Sequence, residues 1–148
     1  LRIGRNLFVH AGLSARLLER NLEMDTLNAR MSEGLYRTSK ERREDPTLEF
    51  LYRSAGPVWY RGMVCTDEKY DPLTPEQTDA LLRRYDADRL LIGHTIFPDI
   101  STFHDGRVIA VNVQNERNRR KNRGRAVLIE GSRISVVGNR GVKRVLEE

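Results

Sequence analysis

Only three histidines occur in this 148-residue chain, and two of them stand at matching places. Leu7-Phe8-Val9 runs into His10-Ala11-Gly12, and Leu90-Leu91-Ile92 runs into Gly93-His94-Thr95. Each is a short apolar, β-prone run that delivers a histidine to a turn of small residues. Neutral imidazole is the commonest metal ligand among side chains, and a hydrogen-bonded structural histidine fits the same pattern. Two histidines do not close a site by themselves, because catalytic metal sites use three or more protein ligands and two-metal hydrolytic sites add carboxylates. The third, His104, falls between Phe103 and Asp105-Gly106 and reads as an exposed structural residue of a hairpin turn. Cys65, the single cysteine, follows Met63-Val64 without a nearby base and reads as an unreactive thiol. Trp59 reads as a packing residue beside a pocket, and Tyr60 as its border or rim.

The elements that must hold these residues follow from periodicity. After the first strand, Ser14 can cap a helix, and Leu17, Leu18, Leu22, Leu27, Met31 and Leu35 recur at helical spacing, predicting one or two amphipathic helices. The charged stretch Thr38–Asp45 reads as a loop or an exposed helix end. Leu48, Leu51 and Tyr52 predict a short helix, stopped by Ser54-Ala55-Gly56-Pro57. Thr74-Pro75-Glu76-Gln77 combines an N-cap, a proline at the first helical position and a glutamine three residues after the cap, so a helix should run from Pro75 to about Tyr85. Leu90-Leu91-Ile92 has the unbroken apolar character of a strand buried on both faces. Beyond it strands are expected at 101–103, 108–113, 126–129 and 134–137. The chain is therefore α/β with a mixed sheet and a helical insert, and the two histidines lie where such folds place their chemistry, at strand ends.

Composition narrows the classes. An apolar share of 39% with 32% charged residues belongs to a globular protein, and no apolar run approaches the roughly 20 residues of a spanning helix, so no membrane partner is expected. One cysteine excludes an internal disulfide and fits a reducing, cytoplasmic setting. The net charge of +5 is concentrated in Arg117–Arg125, which reads as a solvated loop. No aromatic residue interleaves that run, which argues against a single-strand nucleic-acid platform.

Three segments resemble one family. Leu7-Phe8-Val9-His10-Ala11-Gly12-Leu13-Ser14 is similar to the strand ending in His-Gly-Gly-Leu-Ser of the calcineurin-like metallophosphoesterases, in their Ser/Thr phosphoprotein phosphatase branch. Gly56-Pro57-Val58-Trp59-Tyr60-Arg61-Gly62 resembles the Trp-x-Arg segment of the bacterial and Shewanella-like members, and Leu91-Ile92-Gly93-His94-Thr95 with Phe103–Ile109 resembles their Gly-His-Thr segment and following hairpin. The resemblance implies a metal-dependent phosphatase with two divalent ions (Mn, Fe or Zn), His10 and His94 as metal ligands, Arg61 as catalytic phosphate clamp and Tyr60 beside the substrate. A phosphorylated protein or a small phosphomonoester would be the substrate. It implies part of a four-layer α/β/β/α sandwich, with residues 1–148 as the C-terminal half of one domain, the N-terminal half as a missing partner, and no activity in 1–148 alone.

The family's Gly-Asp and Gly-Asn-His-Glu segments do not occur here, and Ala11, Asn112 and Gln114 depart from its pattern. Without the resemblance, Arg61 would read as half of a surface ion pair. Two other functions stay open: a non-catalytic scaffold or binding module, and a basic nucleic-acid-binding module acting through Arg117–Arg125, whose binding would weaken steeply with salt.

Overall fold

Strand residues that alternate between two apolar faces build the centre of the molecule. In the computed structural model, which describes residues 1–147, β1 (Arg2–Ile3), β2 (Asn6–Val9), β3 (Arg89–Ile92), β4 (Ser101–Phe103) and β5 (Val108–Ala110) form one mixed sheet in the order β1-β2-β3-β5-β4. β2, β3 and β5 are parallel, with Val9 beside Ile92 and Ile92 beside Ala110, while β1 and β4 are antiparallel edges. All four residues of β3 are buried, which explains the continuous apolar run.

Successive residues of these strands point to opposite sides. Leu7, Leu90, Ile92, Val108 and Ala110 pack on the helical side, with Leu51, Leu81 and Met63. Leu91 and Ile109 pack on the other side against Ile134 and Val136, which belong to β7 (Arg133–Gly138) of an antiparallel sheet formed with β6 (Ala126–Glu130) and β8 (Gly141–Glu147). The helical layer contains α1 (Arg16–Glu19), α2 (Met24–Leu35), α3 (Ser39–Glu44), α4 (Pro46–Tyr52) and α5 (Pro75–Arg84). The α/β class and the mixed sheet stand as expected. The four-layer sandwich is corrected: the described residues make three layers, and both faces of the central sheet are covered from within the chain.

Local chemistry sets the helix starts. Thr74 accepts from the Gln77 N–H at 3.2 Å while the Gln77 side chain accepts from the Thr74 N–H at 2.9 Å, the predicted reciprocal cap of α5. Thr38 and Glu41 repeat this at α3, so most of the charged stretch is helix rather than loop. Asp45 caps α4 through the N–H groups of Thr47 and Leu48. Ser14 does not cap α1, since its hydroxyl donates to the Ala55 carbonyl at 2.8 Å. The run after Gln114 is also not a plain loop: α6 (Asn115–Arg120) forms there, with Glu116 and Arg120 paired one turn apart.

Candidate active site

The three parallel strands end along one edge of the sheet, and that edge gathers the candidate residues. The Gly93 N–H donates to the His10 carbonyl at 2.9 Å, which locks the ends of β2 and β3 together. His94 then sits in a three-residue turn, with the Thr95 N–H donating to the Gly93 carbonyl at 2.6 Å and φ at 59°. A positive φ is uncommon for a residue with a Cβ and costs on the order of 1 kcal/mol or more. In this turn the ring meets His10: Nε2 of His10 lies 3.2 Å from Nδ1 of His94. His10 is exposed, whereas His94 is half-buried and its Nε2 is buried with no hydrogen-bond partner among the described residues.

A second segment is fastened to the first. The Ala11 N–H donates to the Pro57 carbonyl at 2.9 Å, and Ala11 itself is buried, so alanine fits this loop. Gly12 follows because a Cβ there would come within 3.1 Å of the Tyr60 carbonyl and 3.2 Å of the Met63 side chain. Two successive turns then carry Trp59, Tyr60 and Arg61, with the Tyr60 N–H donating to Gly56 and the Val64 and Cys65 N–H groups to Arg61, all at 3.0 Å. Asn112 and Gln114 serve the same edge through their backbones, each hydrogen-bonded to Phe97.

Arg61 reaches Thr95, its Nη1 donating to the hydroxyl at 3.4 Å, and no described carboxylate pairs with it. The surface ion pair is thereby set aside. Trp59 is 53% exposed and sets its ring edge-on to His94 at 5.3 Å between centroids, so it lies at the site rather than in the core. Tyr60 is the reverse. Only 2% exposed, it donates its hydroxyl to the Asp71 carbonyl at 2.5 Å, and burial drives its pKa far above the ordinary value. His104 is half-buried rather than exposed, within hydrogen-bonding distance of Thr78 and the Met63 carbonyl. Burial, then the nearby Arg61 charge and then His10, lower the pKa of His94, so its imidazole stays neutral at lower pH than a free one.

Beside Arg61 opens a cleft of about 440 Å³, walled by Tyr52, Trp59, Tyr60 and Tyr70 and edged by Arg16, Arg53 and Lys69. Arg16 and Lys69 face Asp71 and Asp67 at 3.6 and 2.9 Å, which leaves Arg61 as the cation of this wall without a carboxylate partner among the described residues. Thr95, Arg16, Arg53 and Lys69 carry no signal of a site as single residues of the sequence, since only folding brings them to Arg61.

No family model matches the chain, and no curated protein does. Solved structures do. The cold-active protein tyrosine phosphatase of a psychrophilic Shewanella species superposes with a TM-score of 0.83 at 25% identity, over 96% of this chain and 40% of that one. A second structure named as a cold-active protein tyrosine phosphatase gives the same score and identity over 95% of this chain and 39% of that one. The chain thus spans about two-fifths of the length of the solved structures it resembles.

These findings correct two expectations. The assignment to the Ser/Thr branch of the calcineurin-like metallophosphoesterases does not stand: no family model supports it, and the structures sharing the fold bear the name of a different phosphatase class. The pair of Mn, Fe or Zn ions is corrected too. Among the described residues no three His, Cys, Asp or Glu side chains converge, so His10 and His94 are two donors where a bimetallic centre needs several more, with carboxylates among them. The basic run is corrected in part: Arg125 leaves it for Asp99, at 2.8 Å with a side chain 8% exposed.

Proposed function

We propose that the protein is a phosphoric monoester hydrolase in which Arg61 grips the substrate phosphate beside the His10–His94 pair. The observation that carries this reading is Arg61 itself, a half-buried guanidinium held on Thr95, with no carboxylate partner among the described residues, next to an imidazole kept neutral. A guanidinium meets two phosphate oxygens with a planar fork and keeps its charge at any working pH. A neutral imidazole offers the lone pair that an imidazolium lacks, so His94 can accept a proton near the bound ester. The likeness to protein tyrosine phosphatases supports the same chemistry.

The substrate proposed is an aryl phosphate of the phosphotyrosine kind. Aromatic walls from Tyr52, Trp59 and Tyr70 suit a planar ring, and about 440 Å³ accommodates one with its phosphate. Release of phosphate from a phosphotyrosine peptide by the natural protein tests this. Arg61→Ala should lower turnover by about thirty- to a thousand-fold, the equivalent of about 2–4 kcal/mol of transition-state stabilisation. Arg61→Lys should restore only part, because an ammonium loses the fork. Turnover unchanged in Arg61→Ala would remove the clamp from the account.

A further inference from the structure

Behind Trp59 lies a second trough of about 480 Å³ that shares Tyr52, Arg53 and Trp59 with the cleft beside Arg61. Its remaining wall is Ser39, Arg42, Arg43, Glu49 and Val58. Three arginines therefore face one glutamate across a concave surface. Glu49 is engaged by Arg53 at 3.3 Å. Arg42 is fixed in place: its guanidinium stacks on the Tyr52 ring at 4.4 Å from the centroid, and Nη2 donates to the Ser39 hydroxyl at 3.4 Å. Arg43 is exposed and has no carboxylate partner among the described residues. Both sit in the last turn of α3, where cations are also favoured by the helix dipole.

We infer that this trough is a specificity subsite for a carboxylate side chain of the substrate peptide, one close in sequence to the phosphorylated residue. The inference rests on the reading of Arg61 as the phosphate clamp. With the phosphoryl group at Arg61 and the aryl ring against Trp59 and Tyr52, the peptide backbone leaves over the wall that the two hollows share. An aspartate or glutamate there meets Arg42 and Arg43. A basic residue meets the same charges and is disfavoured, so selectivity arises from repulsion as well as attraction. Arg53, tied to Glu49 and common to both hollows, bounds the subsite on the phosphate side.

Fluorescence polarisation with two dye-labelled phosphotyrosine peptides, one flanked by glutamates and the other by alanines, reads this directly. The wild-type protein should prefer the acidic peptide by about three- to tenfold, the range for two partly exposed ion pairs. Added salt should shrink that ratio. In the Arg42→Ala/Arg43→Ala double variant the ratio should fall to about one. Arg43→Glu, at an exposed position where folding is not at stake, should invert it. Equal affinity of the wild-type protein for both peptides, or a preference surviving in the double variant, would overturn the subsite. Failure of the underlying reading looks different: Arg61→Ala would then leave the affinity for both peptides untouched, whereas the account predicts that it weakens both. Binding of neither peptide by the wild-type protein overturns the subsite and the clamp together.

Discussion

At His94 three unfavourable features coincide: a positive φ, a buried ring nitrogen without a hydrogen-bond partner among the described residues, and a guanidinium close enough to oppose protonation. Strain, unsatisfied polar atoms and shifted titration gather at functional sites, because a residue kept only for stability would be freed of them. The pKa of His94 is depressed in the folded state, so its contribution to stability is fully present above the ordinary histidine value of about 6.5 and is lost as pH falls through the lower folded value. Proton NMR of the ring should therefore give a titration midpoint below that of a free histidine. Arg61→Ala should move the midpoint upward by removing the second cause of the shift. A midpoint at or above the ordinary value would mean that the ring is neither desolvated nor within reach of Arg61.

The elements around the site work as fasteners, and Gly56 is the most sharply constrained of their residues. A Cβ there would lie 2.1 Å from the Leu51 carbonyl oxygen and 2.6 Å from that of Phe50, both rigid backbone at the end of α4. Gly56→Ala should cost about 1–3 kcal/mol, lower the melting temperature and shift the turn that carries Trp59 and Arg61. A melt unchanged from wild type would show that the turn relaxes freely. Much of this framework was legible in the sequence. The cap at Thr74 and the apolar run before Gly93 announce α5 and β3 through local chemistry alone, as do the two strand-end histidines. The charged stretch 39–44 lacks an apolar stripe, which leaves loop and exposed helix end equally open in the sequence; its helix is held by the Thr38–Glu41 cap and its packing on α4. Likewise Glu116–Arg120 pairing turns part of the basic run into α6. Strand β8 and the two-residue β1 carry too little pattern of their own and form by pairing with β7 and β2. At the site both Trp59 and Tyr60 line the cleft, but Trp59 stands exposed and Tyr60 is buried, because adjacent residues of a turn face different ways and neighbouring letters do not reveal which one faces the core.

At the scale of the whole molecule, three layers leave one sheet edge to hold His10, His94, Thr95 and, fastened through Pro57, Arg61. The donor set of this edge fixes its response to metal: equilibrium dialysis of the chain with Mn²⁺ should find no tightly held equivalent, since two imidazoles do not form a closed site. One tightly bound ion, lost in His10→Ala, would instead reveal ligands that the described residues do not bring together. The central claim, that phosphate binds at Arg61, has a built-in reporter. Trp59 is the only tryptophan, half-exposed, edge-on to His94 and on the wall of the Arg61 cleft. Titrating the protein with inorganic phosphate at constant ionic strength while following Trp59 fluorescence should give a saturable change that disappears in Arg61→Ala. A signal that never saturates, or one that is the same in Arg61→Ala, would contradict the account.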